Sequence, residues 1–141
     1  MITPVIKLIP REELSAILPL IKILNPKLDD ALLARRLEEM KSQNYECAGV
    51  YLEGQLIGAC GLWITTRFYC GKMIEPDNVV LHPDHRSGGI GRQLMQWVYD
   101  YGRALGCEVC GLDCYVVNDR SHKFYFREGF KILGFHFHRD L

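Results

Sequence analysis

The sequence contains no apolar run that approaches the ~20 residues a helix needs to cross a bilayer. It also has no excess of charge, because 17 Lys and Arg balance 17 Asp and Glu and give a formal net charge of +0 at pH 7. A chain without a basic excess lacks the electrostatic footprint of a nucleic-acid-binding protein. Residues 1–4 lack the charged and apolar regions of a secretory signal. These absences predict a cytoplasmic protein that binds neither nucleic acid nor membrane.

Internal repeats, low-complexity tracts and linkers are absent as well. The 141 residues are enough to bury one core, and the hydrophobic content of 48% with 24% charged residues is ordinary for a globular chain. We therefore expect one domain over residues 1–141.

Six cysteines allow two interpretations. Cys107 and Cys110 have the spacing of a metal knuckle or a redox pair. Alternatively they lie on a strand, which would send them to opposite faces and place Cys110 and Cys114 on one face as small buried hydrophobes. Thiols on opposite faces could not share a metal, so we expect no metal site here. No cysteine has a neighbour that marks it as a nucleophile, so we do not expect a covalent acyl-enzyme.

Hydrophobic periodicity and turn residues predict alternating elements. Strands are expected over 5–9, 45–52, 55–65, 75–81, 108–116 and 130–138, and helices over 11–25, 28–43, 90–105 and 118–128. Pro19 should split the first helix, and Glu53-Gly54 should form a tight hairpin turn. This order predicts an α/β or α+β sheet flanked by helices.

The most informative stretch is residues 79–93. An apolar run ends at Pro83, three glycines follow within four residues, and an amphipathic helical pattern begins at Ile90. Glycines let a ligand approach the backbone closely. The first turn of a helix presents unpaired N–H groups and about half a positive charge. This arrangement is typical of a phosphate-binding turn.

Two common phosphate motifs do not fit, because the chain has no G-x-G-x-x-G and the loop ends in Gly91-Arg92-Gln93 rather than Gly-Lys-Ser/Thr. Arg-x-x-Gly-x-Gly does fit, at Arg86, Gly89 and Gly91. Here the sequence resembles the GNAT superfamily of acyl-CoA-dependent N-acyltransferases. The resemblance implies a mixed, mostly antiparallel sheet splayed between its fourth and fifth strands. It also implies acetyl-CoA as co-substrate, with no metal, bound by Val79, Val80, Leu81, Arg86, Ser87, Gly88, Gly89, Ile90, Gly91 and Arg92.

A second stretch, residues 118–130, is similar to another GNAT signature, in which a tyrosine precedes Gly-Phe by four residues. That match implies that Asn118 binds the cofactor and that Tyr125 faces its sulfur. A phenol of pKa ~10 is a credible proton donor to a leaving thiolate. The alternative is that Tyr125 is a core aromatic beside Phe124 and Phe126.

The attacking amine must lose a proton, which calls for a carboxylate near the acceptor. Glu75 is our candidate base, with Asp77 nearby and Asn78 where relatives often carry an acid. Both carboxylates could instead merely flank a turn around Pro76.

Three functions fit the resemblance. The chain transfers acetyl directly to a small primary amine, or it modifies a peptide or protein amine, or it is an acyl-CoA-binding sensor without turnover. An open groove would favour a peptide acceptor, and a closed pocket lined with carboxylates would favour a cationic small molecule. Homodimers are common in the family, but no stretch here establishes one.

Overall fold

The computed structural model describes residues 3–141, so the first two residues of the predicted single domain lie outside it. The described chain forms two compact units, one ending at Gly111 and the other spanning Leu112–Leu141. Among the described residues, none of the helices combines the length and apolar character needed to cross a membrane.

The first unit is built on a five-stranded sheet in sequential order. Its strands are β1 (Val5–Leu8), β2 (Glu46–Leu52), β3 (Gln55–Arg67), β4 (Gly71–Leu81) and β5 (Val109–Cys110). The first four are antiparallel neighbours, whereas β5 is parallel to β4 and pairs only with Met73 and Ile74. The rest of that edge of β4 has no partner strand among residues 3–111, as expected for a sheet splayed between its fourth and fifth strands.

Helices cover both faces of this sheet. A 3-10 helix (Arg11–Ile17), α1 (Leu18–Leu24) and α2 (Asp30–Ser42) bury Leu14, Leu20 and Leu37 on one face. On the other face, α3 (Ile90–Ala104) buries Leu94 and Val98. Alternate strand residues supply each core because successive side chains point to opposite faces.

Local sequence explains two junctions. The expected interruption of the first helix occurs before Leu18, and Pro19 lies in the first turn of α1, where its missing N–H removes no helical hydrogen bond. Glu53 and Gly54 have φ of 50° and 79°, which are the two left-handed positions of a tight hairpin turn.

Strand boundaries differ from the sequence prediction in the middle of the chain. β3 continues to Arg67 and β4 begins at Gly71, so most of the predicted connection 67–73 is paired backbone. The sequence did not indicate this pairing, because Thr65, Thr66 and Arg67 are polar and exposed and show no apolar alternation.

Two predicted strands are shortened or missing. Of residues 108–116, only Val109–Cys110 pair, and residues 130–138 form no strand. The latter segment alternates in the sequence, yet Ile132, Phe135 and Phe137 are 71%, 83% and 91% exposed. A strand exists only through pairing with another strand, and apolar alternation alone does not supply a partner.

The second unit contains one helix, α4 (Asp119–Arg127), among its described residues. Asn118 begins it, since its side-chain oxygen accepts a hydrogen bond from the Ser121 amide at 3.3 Å. Gly129, with φ of 96°, follows its last turn and ends the helix as the sequence predicts.

Candidate active site

At the carboxyl end of β4 the side chains pack into the core, and the backbone lies at the edge of the sheet. Val80 is only 3% exposed, and Val79 and Leu81 are half-buried against the core beneath α3. Their backbone borders the part of the edge that no strand of residues 3–111 covers. A ligand at this edge would therefore meet the main chain of these three predicted cofactor-binding residues.

The loop after β4 is fixed by short-range hydrogen bonds. Pro83–His85 form a 3-10 turn, and the Asp84 amide donates to Nδ1 of His82 at 3.3 Å. The Nε of Arg86 donates to the Leu81 carbonyl at 3.1 Å, which ties the loop to the strand. The guanidinium group has five N–H donors, so this bond leaves others available to an anion.

The glycines open the amino-terminal end of α3. Gly89 precedes the helix with φ of 75°, a left-handed conformation, and a Cβ built there would meet no atom within 4 Å. No acidic residue lies in the first turn of α3 and no side chain caps it. Ser87, Gly88 and Arg92 are exposed, while Ile90 is buried and anchors the helix to the core. The first-turn amides and two nearby arginines can bind an anion such as a pyrophosphate.

A bulge interrupts β4 just before this strand end. Ala59 pairs with Val80 and Gly61 with Asp77, so β4 has one residue more than β3 over this stretch. The extra residue allows Asn78 to adopt φ of 51°, a left-handed conformation that asparagine tolerates better than most residues. The bulge shifts the alternation, so that Asp77 and Val80 both face α1 and α2.

Carboxylates occupy that same face of β4. Glu75 pairs with Trp63 and Asp77 with Gly61, and paired residues of antiparallel strands share a face. The Trp63 indole donates to Asp77 Oδ2 at 3.1 Å, and the Tyr45 ring lies 5.1 Å from the Trp63 ring. The predicted base Glu75 therefore has a neighbour, Asp77, that an aromatic pair holds in place.

A cavity of 160 Å³ lies between α1, α2 and the bulge. Most of its lining is apolar, and its polar lining residues are Asn25, Arg36, Tyr45 and Asn78. No carboxylate lines this cavity, so it is not the carboxylate-lined pocket expected for a cationic small molecule.

Buried thiols surround Tyr45 but are poorly suited to nucleophilic attack. Burial raises the pKa of Cys47 to about 11 and the pKa of Cys60 well above its usual value. Burial also raises the pKa of Tyr45, with the neighbouring Cys47 adding to the shift. A thiol that stays protonated at neutral pH is a weak nucleophile.

Cys107 and Cys110 line one further cavity, of 100 Å³, together. The prediction that they point to opposite faces of one strand is wrong because β5 begins only at Val109. Cys107 precedes the strand, after Gly106 with φ of 82°, so strand alternation does not apply to it. Burial raises the pKa of Cys110 to about 12 and raises the pKa of Cys107.

The second unit carries the remaining predicted site residues. Tyr125 is half-buried and packs edge to face against Phe124 and Phe130, with ring centroids 5.2 and 5.5 Å away. The Asn118 side-chain oxygen caps α4, a structural role that the sequence match did not indicate.

Comparison with known proteins gives the class. The chain matches the model of the acetyltransferase (GNAT) family over residues 13–130, which includes parts of both units. The protein belongs to this family. The resemblance noted in the sequence and the predicted fold class are thereby confirmed.

Individual proteins of known activity are also similar to this chain. Aminoalkylphosphonate N-acetyltransferase from Salmonella typhimurium is 30% identical over 89 residues, which are 62% of this chain and 58% of the relative. This match therefore spans little more than half of the relative's length. Aminoglycoside N-acetyltransferase AAC(6')-Iy in complex with CoA superimposes with a TM-score of 0.85 at 21% identity, covering 99% of this chain and 96% of that one.

Ribosomal-protein-alanine N-acetyltransferase from Brucella melitensis biovar Abortus 2308 gives a TM-score of 0.83 at 19% identity, covering 99% of both chains. At these identities the two solved structures show the shared fold. The named acceptors differ between the relatives, so the fold alone selects no amine.

Proposed function

We propose that this protein transfers the acetyl group of acetyl-CoA directly to a primary amine of a small molecule or peptide. The observation that carries the proposal is the continuous run from the edge of β4 that no strand of residues 3–111 covers, through the glycine turn, to the first turn of α3, which no side chain caps. The CoA-bound aminoglycoside relative and the name of the Salmonella relative support acetyl-CoA and a small amine acceptor.

In this proposal the backbone of residues 79–81 pairs with the pantetheine arm of the cofactor. The pyrophosphate is held by the amides of residues 87–92 and by the guanidinium of Arg86. The absence of acidic residues from the first turn of α3 supports this assignment, since a carboxylate there would compete for the same donors. Asn118 would contact the cofactor's amide groups.

Acetyl-CoA supplies an acetyl thioester, and the protein's residues manage protons around it. Glu75 accepts a proton from the substrate ammonium, directly or through water, because only the neutral amine has a lone pair for attack. Tyr125 donates its phenolic proton to the departing thiolate. The amine gains the acetyl group, the thiol leaves as free CoA, and one proton is released to solvent.

Steady-state thiol release from acetyl-CoA tests the proposal, with a panel of aliphatic amines, amino sugars and basic peptides as acceptors. The proposal predicts turnover with at least one amine and a large loss in kcat for Tyr125→Phe, with Phe126→Leu on the same helix as control. Tight acetyl-CoA binding without turnover on any acceptor would favour the sensor function instead. Four expectations from the sequence stay predictions: a single domain, a cytoplasmic location, the lack of a metal and a possible homodimer.

A further inference from the structure

The cavity beside the bulge differs in charge from a site for polyamines or basic peptides. Among its lining residues Arg36 of α2 is charged, and acidic residues are absent. Within residues 3–141, no carboxylate forms an ion pair with Arg36. A second ammonium group on an acceptor would therefore meet a like charge here.

The volume limits the size of an occupant. At 160 Å³ the cavity holds the volume of about five water molecules at ~30 Å³ each. Pockets for drug-sized ligands are commonly about twice as large or more. The space suits a short aliphatic chain, and the apolar side chains of α1 and α2, Leu33 and Met40 among them, favour one.

Two polar groups line the cavity from different elements of the fold. Asn78 lines the cavity from the bulge, on the strand whose neighbouring residues Glu75 and Asp77 face the same helices. Arg36 lines it from α2. Neither carboxylate lines the cavity, so the guanidinium is the charged group that decides which end of an acceptor the cavity favours. An anion would be favoured there, because the planar fork matches carboxylate or phosphate oxygens.

We infer that the acceptor is a short aliphatic primary amine whose far end carries an acidic group, and that Arg36 binds this group. The inference rests on the proposed function and adds the acceptor's chemical class and a specificity-determining residue. It disfavours polyamines, because their second ammonium group would meet the guanidinium of Arg36.

Three five-carbon amines of similar length test it: δ-aminovalerate, pentylamine and cadaverine. They end in a carboxylate, a methyl group and a second ammonium. Calorimetric titration without acetyl-CoA should rank their affinities in that order for the wild-type protein. Arg36→Gln should weaken δ-aminovalerate about tenfold, in line with loss of one charge-assisted hydrogen bond, and leave pentylamine unchanged. Arg35→Gln is the matched control, because Arg35 is exposed like Arg36 but does not line the cavity.

Equal affinities for the three amines, no binding of any of them at millimolar concentration, or an undiminished affinity in Arg36→Gln would each overturn the inference. Acetyl transfer to other amines in the same assays would then leave the proposed function standing. Conversely, Arg36-dependent binding of δ-aminovalerate in a protein that does not bind acetyl-CoA would uphold the acidic ligand and refute the acetyltransferase proposal.

Discussion

Gly89 has two roles in this account: it adopts a left-handed conformation before α3, and its lack of a side chain leaves room for the pyrophosphate. Substitutions at Gly89 can separate the two. A Cβ at this position would meet no atom within 4 Å, so Gly89→Ala creates no clash in the free protein. Its cost comes from φ of 75°, which an L-residue other than Asn or Asp adopts at about 1–2 kcal/mol. We expect Tm to fall by about 3–8 °C in this chain.

The effect on the cofactor should be separable from this strain. In our proposal the pyrophosphate approaches the backbone at Gly89, so any side chain there displaces it, and Kd for acetyl-CoA should rise at least about tenfold, or 1.4 kcal/mol. Gly89→Asn tolerates the left-handed conformation, so it should recover much of the stability and none of the affinity.

Thermal unfolding and calorimetric titration of acetyl-CoA measure the two effects. Gly88→Ala is the control for stability, because Gly88 lacks a positive φ and a Cβ there would lie 4.0 Å from its nearest neighbouring atom, Ile90 Cγ1. It should unfold within about 0.5 kcal/mol of the wild type. A Gly89→Ala protein with wild-type stability and wild-type affinity would refute the reasoning on both counts.

Three further outcomes follow from the geometry. Arg86→Ala should weaken acetyl-CoA binding and change Tm little, since the hydrogen bond from the Arg86 Nε to the Leu81 carbonyl is exposed. An affinity equal to that of the wild type in a titration would remove the proposed role of Arg86. Gly61→Ala should destabilise the fold by about 1–3 kcal/mol in urea unfolding, because its Cβ would lie 2.5 Å from the Tyr45 hydroxyl and 2.8 Å from the Asp77 carbonyl oxygen. For Cys47, whose pKa is raised from 9.0 to about 11, the unfolded chain releases the thiol proton first as pH rises. The contribution of this thiol to the free energy of unfolding is therefore full below pH 9 and falls by roughly 2–3 kcal/mol by pH 11. Between pH 9 and pH 11 the free energy of unfolding should therefore fall less steeply in Cys47→Ala than in the wild type.

The glycine turn and α3 could be predicted because their signals are local. Three glycines after Pro83 and a helical apolar stripe from Ile90 onward require no knowledge of distant residues. The hairpin at Glu53 and Gly54 is similar, since two residues fix its turn. The Arg-x-x-Gly-x-Gly motif at Arg86, Gly89 and Gly91, with the strand, the proline and the long helix around it, indicated the family.

The bulge was not predictable from spacing, because it is a mismatch between two strands. Asn78 adds one residue to β4 relative to β3, and only the pairing of Gly61 with Asp77 reveals it. The asparagine itself was the available signal, as a residue that tolerates the left-handed conformation within an otherwise extended run.

The cavity depends on contacts between distant segments. Arg36 belongs to a charged stretch of α2 that is typical of a solvent-exposed face, and it is exposed in the structure. Its place beside the cavity could not be predicted, because it follows from the packing of α1, α2 and β4. The missing strand over residues 130–138 has the same origin, because pairing decides whether apolar alternation becomes a strand.

Single-turnover mass spectrometry with isotopically labelled acetyl-CoA tests the central claim most directly. Protein in excess over labelled acetyl-CoA would be mixed with an accepted amine, and the masses of the protein, the amine and the CoA would be recorded over time. Direct transfer predicts that the label appears on the amine as free CoA forms, while the mass of the protein never changes. Label on the protein before it reaches the amine, or acetyl-CoA that stays bound and intact, would contradict the account.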